Sequence, residues 1–414
     1  MARRRLLLLS LVLSAGLALA CLWILDGGAP VADAAPGRGR ASAPGDAITV
    51  CLSGGCDHGS LQAAVDAASG GELIKVAGGI YDDVHRRDGI TQVVYISKSV
   101  VIRGGYTTTN DFADPPDPTV HPTTLDARGL GRGVTITGAM GVELSGLRAT
   151  GGRAGDLPQD FGGGILAMNA SVVVSDCQVH SNTAHTGGGI QLRYSPNSAL
   201  LNNEVYSNTA DFSAGVYLRH SPTATLAGNT ITRNQADWGG GVYLSRSGGV
   251  TLTQNEICSN TAASGGAGAF INLSDGVRWM DNRVYSNTAG ADDNGGGIYF
   301  RESSGASLTG NDITRNVAGY GGGVYVDSSS YGATLTDNRI HRNAAIDYGS
   351  GGGVHIGGDD ATLSGNAVFD NDADDRGGGV HISGGDSVTL DGNDVYSNTT
   401  SNRGGGLSLE NVST

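Results

Sequence analysis

The sequence predicts an all-β protein: a right-handed parallel β-helix, a three-sheet solenoid of about ten regular coils behind a short N-terminal capping helix. Three observations lead there. Glycine makes up 69 of 414 residues without a G-X-Y period, while 39% of the chain is hydrophobic, so neither collagen nor a disordered chain fits. A Gly-rich step followed by an apolar residue recurs at Ile165, Ile190, Val216, Val242, Ala269, Ile298, Val324, Val354, Val380 and Leu407, at intervals of about 25–30 residues. Each repeat then carries three short apolar pieces separated by Gly, Asn, Asp and Ser, with no apolar stripe of helical period.

The complete repeat is Val242-Tyr243-Leu244, a short variable loop, Thr251-Leu252, then Asn255-Glu256-Ile257 and Asn260. Three strands per repeat, stacked on the next repeat at strand spacing, enclose an apolar lumen into which Val242, Leu244, Leu252 and Ile257 point. Ten coils at roughly 4.8 Å give a rod on the order of 50 Å before the N-terminal part is added. Two asparagine columns fix the register, one from Asn203 to Asn393 and one from Asn182 to Asn398. Asparagine tolerates left-handed turns, and stacked amides can hydrogen-bond from coil to coil, so these residues are assigned structure rather than chemistry.

Ahead of the coils, Ser60-Leu61 through Ala68 reads as a short amphipathic helix with Ser60 as N-cap, covering the open end of the solenoid. Ile74-Lys75-Val76, Val93 to Ile96 and Val100 to Ile102 follow as strands. Residues 48–125 thus form the cap and first coils, and 126–414 the repeats. The chain stops at Thr414 inside a coil that has just begun, which suits either part of a longer protein or an end protected by something else.

Residues 1–34 read as an export signal. Arg3, Arg4 and Arg5 precede an apolar run from Leu6 to Leu25, and Ala32-Asp33-Ala34 offers a cleavage site. The run is also long enough for a membrane anchor, and Ala18-Leu19-Ala20-Cys21 loosely resembles a bacterial lipobox. Each alternative exports the remainder, which places the protein outside the cell or on its surface and leaves membrane contact to this segment alone, uncleaved or lipidated. Residues 35–47 form a linker rich in Gly, Pro and Ala. Of five cysteines, Cys51 and Cys56 are close enough to bridge a small loop in an oxidising compartment. Cys177 and Cys258 fall three coils apart, beyond disulfide reach, and are expected free.

The stretch from Leu61 to Tyr81, the Val100-Val101-Ile102-Arg103-Gly104-Gly105-Tyr106 run and the Gly/Asn coils resemble the right-handed β-helix proteins of the pectin-lyase-like superfamily. The pairing of GGG[IV] with [VI]-x-x-N is similar to the repeats of chlamydial polymorphic membrane proteins. The resemblance covers about residues 48–414. It implies the fold far more than a function, because this architecture carries lyases, hydrolases, epimerases, adhesins and surface proteins alike.

Residues at equal offsets form columns along such a rod. Directly after the inward residue come Tyr217, Tyr243, Phe270, Tyr299, Tyr325, His355 and His381. Five residues before it come Asp160, His185, Asp211, Asp237, Asp293 and Asp375, followed in four coils by Phe161, Phe212, Trp238 and Tyr320. Arg193, Arg219 and Arg301 lie two positions beyond the rings. The functional expectation is a groove whose rings (Tyr217, Tyr243, Phe270, Tyr299, Tyr325, with Trp238 and Arg193 beside them) bind a long glycan. Tyr and Phe are equally good strand residues for a half-exposed sheet.

Asp211 and Asp237, on neighbouring coils, are expected to repel, so that one carboxyl rises in pKa or Ca²⁺ binds between them, and a raised and a normal carboxylate could act as acid and base on a glycosidic bond. Arg219 beside Tyr and His would suit β-elimination from a uronate. Loop aspartates are also ordinary turn formers. No phosphate loop, Cys/His metal spacing or G-x-S-x-G motif is present, so the cofactor expectation is none, or Ca²⁺. The formal charge of −14 argues against nucleic acid, leaving a polysaccharide or cell-surface glycan as the expected partner. The near-equal short loops favour a non-catalytic binding or adhesion protein. A polysaccharide lyase or glycoside hydrolase, and a purely architectural envelope rod, are the alternatives.

Overall fold

The computed structural model describes residues 47–154 and 160–412, so the export segment and nearly all of the linker lie outside the described residues. Within them the chain winds through about thirteen turns of parallel strands, the ten expected coils plus the N-terminal ones. One coil shows the plan: Val242–Ser245, Thr251–Thr253, Glu256–Cys258 and Thr261–Ala262 are its four strands. Their equivalents build a first sheet of 13 strands, a second of 13, a third of 12 and a fourth of 10. The fourth sheet corrects the three-sheet expectation. Most of its strands are only two residues long, such as Thr261–Ala262, and two residues cannot display the alternation by which strands are recognised in a sequence.

The lumen is filled as the repeat predicts. Val242, Leu244, Leu252 and Ile257 are each 0% exposed and belong to one continuous core, where each aliphatic side chain contributes on the order of 1.5–3 kcal/mol. Trp279 takes the place of a leucine in the second-sheet column, between Leu252 and Leu308, and is fully buried.

The asparagine columns hold the coils together. Asn260 donates from Nδ2 to the carbonyl of Ile231 and to Asn287 Oδ1, while its own Oδ1 accepts from the backbone and side chain of Asn234. The left-handed turn residue, however, is the one before the asparagine: Ser259 and Gln254 have φ near 55°, and Asn260 and Asn255 do not. The asparagine must turn inward to reach the previous coil, so the preceding residue carries the sharp bend. A third column went unread in the sequence. Ser195, Ser221, Ser247, Ser274, Ser303 and Ser330 are buried, and each hydroxyl from Ser221 onward accepts from the backbone N–H of the serine one coil earlier.

At the N-terminal end the helix Leu61–Ala67 is capped by Ser60, whose hydroxyl accepts from Ala63 N–H. Gln62 bonds both backbone groups of Tyr95, so the helix satisfies an otherwise open strand edge as well as covering apolar core. A short antiparallel strand, His85–Arg87, pairs with Ile90–Ile96. Cys51 and Cys56 form a disulfide, and Cys177 and Cys258 are free and buried. No helix among the described residues is long and apolar enough to cross a membrane.

Candidate functional site

In-register pairing of the first-sheet strands sets Tyr217, Tyr243, Phe270, Tyr299, Tyr325, His355 and His381 side by side. Ring centroids from Tyr217 to Tyr325 are 4.9, 4.9, 4.9 and 5.1 Å apart. The expected spacing is present, but the expected open faces are not. Tyr217, Tyr243, Phe270 and Tyr299 are only 2–8% exposed and form an apolar column of their own outside the lumen, with Trp238 and Tyr325 packed against it. The preceding glycine step causes this. A Cβ on Gly239 would lie 2.9 Å from Tyr243 Cβ, and one on Gly266 2.6 Å from Phe270 Cβ, so the backbone packs closely against the base of each side chain. From Tyr217 to Tyr299 the rings turn their faces toward one another at 25–34°, and Tyr325 meets Tyr299 edge-on, which leaves mainly edges and hydroxyls for a ligand. Burial holds the tyrosine hydroxyls neutral, pushing Tyr243 and Tyr325 up to about 12.

Beside the column, Asp211 sits on the fourth-sheet strand Thr209–Phe212. Its Oδ2 is 2.6 Å from His185 Nδ1, and both side chains are exposed, 64% and 44%. Asp237 follows on the next coil, its N–H bonded to the carbonyl of Asp211, and is also exposed. The sequence therefore located this trio, which equal offsets in the solenoid place on one wall. Among the described residues no three His, Cys, Asp or Glu gather closely enough to hold a metal, while Ca²⁺ takes six to eight oxygen ligands. Asp211 and Asp237 are both exposed on this wall, and Arg219 makes no ion pair with either among the described residues.

On the opposite flank, Arg193 and Arg219 are paired neighbours at the ends of Ile190–Arg193 and Val216–Arg219. Arg193 lies 4.6 Å over the Phe161 ring. The residues that follow on three successive coils, Tyr194, His220 and Arg246, share a left-handed conformation with φ of 51, 49 and 50°. Tyr194 and His220 stack at 4.8 Å. Sequence reasoning missed these three, although their common offset after L-R or L-S was available as a signal.

The column ends in two buried imidazoles, His355 and His381, with ring centroids 4.8 Å apart. Burial first, then the charge of His381, pulls His355 down to about 3. Burial likewise lowers His381, opposed by Glu410. Both are therefore neutral in the fold, whereas an unfolded histidine protonates near pH 6.5. The unfolded chain then binds more protons below that pH, so stability is complete above about 6.5 and falls as the pH drops toward 3. Lowering the pH from about 6.5 to 5 should cost about 2 kcal/mol through His355, read as a reduced urea midpoint. In the His355→Phe variant that loss should largely disappear, and an unchanged pH profile would refute the assignment.

The sequence matches the family model described as right handed beta helix region over residues 126–257 and 214–395. Among solved structures, the chain is similar to the A-module of mannuronan C-5 epimerase AlgE4 from Azotobacter vinelandii, at 14% identity and TM-score 0.52, covering 90% of this chain and 98% of that one. It is also similar to PfbA, a surface adhesin of Streptococcus pneumoniae, at 12% identity and TM-score 0.50, covering 86% and 91%. These likenesses are of fold. No curated protein matches the sequence.

Proposed function

We propose that this chain, which belongs to the right-handed β-helix family, is an exported or cell-surface protein that binds carbohydrate along its first sheet without cleaving it. The observation that carries the reading is the surface over four successive coils at the N-terminal end of the ring column and just before it. Phe161, Tyr194, Phe212 and Trp238 expose ring area at its flanks, with Arg193, Arg219 and Arg246 between and beside them. Flat apolar surface interrupted by fixed polar donors suits sugar rings. Tyr217, Tyr243, Tyr299 and Tyr325 add edges and hydroxyls, while Phe270 keeps the column closed. That the same fold serves a mannuronan epimerase and a surface adhesin supports both the ligand class and the location.

A second reading, a lyase or hydrolase, rests on the 2.6 Å contact between His185 and Asp211, which could hold a proton in place. Incubating residues 35–414 with a polysaccharide panel, with and without Ca²⁺, separates the readings. Retention without new chain ends is the expected result. New ends that vanish in Asp237→Asn would make the protein an enzyme, and neither retention nor cleavage would leave an architectural rod.

A further inference from the structure

The chain carries a formal charge of −14, yet one patch of its surface is built from arginines. Arg193 and Arg219 are adjacent rungs of the first sheet. Arg246 occupies the rung after His220 in the turn column, which the backbone bonds Tyr194 N–H to Arg219 O, His220 N–H to Ser245 O and Arg246 N–H to Asn272 O define. Among the described residues none of the three guanidiniums makes an ion pair. Arg193 lies against the Phe161 and Tyr194 rings, and the next rung after Arg246 is Leu273, not an acid. All three charges bear on His220. After burial, Arg219, Arg246 and Arg193 in that order disfavour its protonation. Three like charges are thus held together on successive coils without a counter-charge from this part of the fold.

We infer that this patch binds tetrahedral oxyanions, the sulfate or phosphate esters of a polysaccharide, in preference to uronate carboxylates. The inference rests on the carbohydrate-binding reading and names the class of glycan. A carboxylate offers two oxygens in one plane, which a single guanidinium fork satisfies. A sulfate or phosphate ester offers three oxygens around a tetrahedral centre and accepts from donors arriving in several directions. Arg219 and Arg246 stem from different columns and neighbouring coils, and both charges reach His220, so a tetrahedral group bound there can take donors from two separate stems. Arginine is also weakly hydrated compared with lysine, which lowers the cost of stripping water from the contact. Elsewhere the negative chain repels a polyanion, which confines binding to this face and makes it strongly salt-dependent.

The test compares retention of the purified chain on sulfated dextran, a phosphomannan, polygalacturonate, unmodified dextran and duplex DNA. Both ester-bearing glycans are expected to bind, with polygalacturonate roughly tenfold weaker. Removing a charged hydrogen-bond donor costs about 1.5–3 kcal/mol, so Arg219→Gln and Arg246→Gln should each weaken ester binding at least about tenfold and flatten its salt dependence. Both side chains lie at the surface, so urea midpoints should stay at the parent value. Arg219→Lys should recover part of the loss by restoring charge without the fork. Equal or tighter binding of polygalacturonate would overturn the oxyanion preference, and equal retention on DNA would overturn the glycan. Ester binding unaffected by the variants would place it elsewhere. Retention of unmodified dextran alone would sink this inference and leave carbohydrate binding standing, whereas retention of no glycan would sink both.

Discussion

Asn260→Ala is expected to destabilise the protein by about 3–5 kcal/mol, far more than the loss of a surface amide. The side chain is 0% exposed and sits in the middle of its column. Removing it takes a donor from the carbonyl of Ile231 and an acceptor from both the backbone N–H and the Nδ2 of Asn234. Each buried polar group left without a partner costs roughly 1–3 kcal/mol. Asn398, by contrast, makes the equivalent bonds to Val368 and Asn371 but is part-exposed at the end of the same column, where solvent can take up the groups it leaves. Asn398→Ala should therefore cost well under half as much. Urea midpoints of the two variants, with amide exchange of the flanking coils, check the contrast. Equal losses at both positions would show that burial of the column is not what makes it stabilising.

Those asparagines were legible because a column in a solenoid becomes a fixed offset in sequence, and the same rule located the ring column, the Asp211–Asp237 wall and its neighbour His185. What offsets convey is which residues are neighbours. They do not convey what lies on top. The rings of Tyr243 and Phe270 share the sequence position of a solvent-facing strand residue, and only their burial in a ring cluster, with Gly239 and Gly266 packed against the base of each, shows that they are covered. Short or partial columns were lost for a different reason. The two-residue strands of the fourth sheet are too brief to show alternation, and Tyr194, His220 and Arg246 share no residue type. The serine column was legible in principle, but a polar residue after a strand looks like any turn until its hydroxyl is seen accepting from the coil before it.

Gly241→Ala should prevent normal assembly of the middle coils, with a cost above about 3 kcal/mol and a sharp fall in soluble protein. The reason is contact rather than backbone conformation. A Cβ at Gly241 would lie 2.5 Å from the carbonyl oxygen of Gly268, 2.9 Å from Asn260 Nδ2 and 3.1 Å from Ile257 Cγ2. The nearest of these is backbone of the next coil, fixed by the bonds from Gly241 N–H to Ala267 O and from Val242 N–H to Gly268 O, 2.9 and 3.0 Å long. Relief requires either prising the coils apart or displacing an asparagine whose four side-chain bonds hold three coils together. Gly276→Ala isolates the other effect. Gly276 has φ +64° and nothing within 4 Å of its missing Cβ, so alanine there meets only the left-handed penalty of about 1–2 kcal/mol. A loss at Gly241 no larger than at Gly276 would mean that the coils can separate to admit a methyl group. Because the same glycine step packs against the base of Tyr243, that freedom would also let the ring column open, and its faces would become available to a sugar after all.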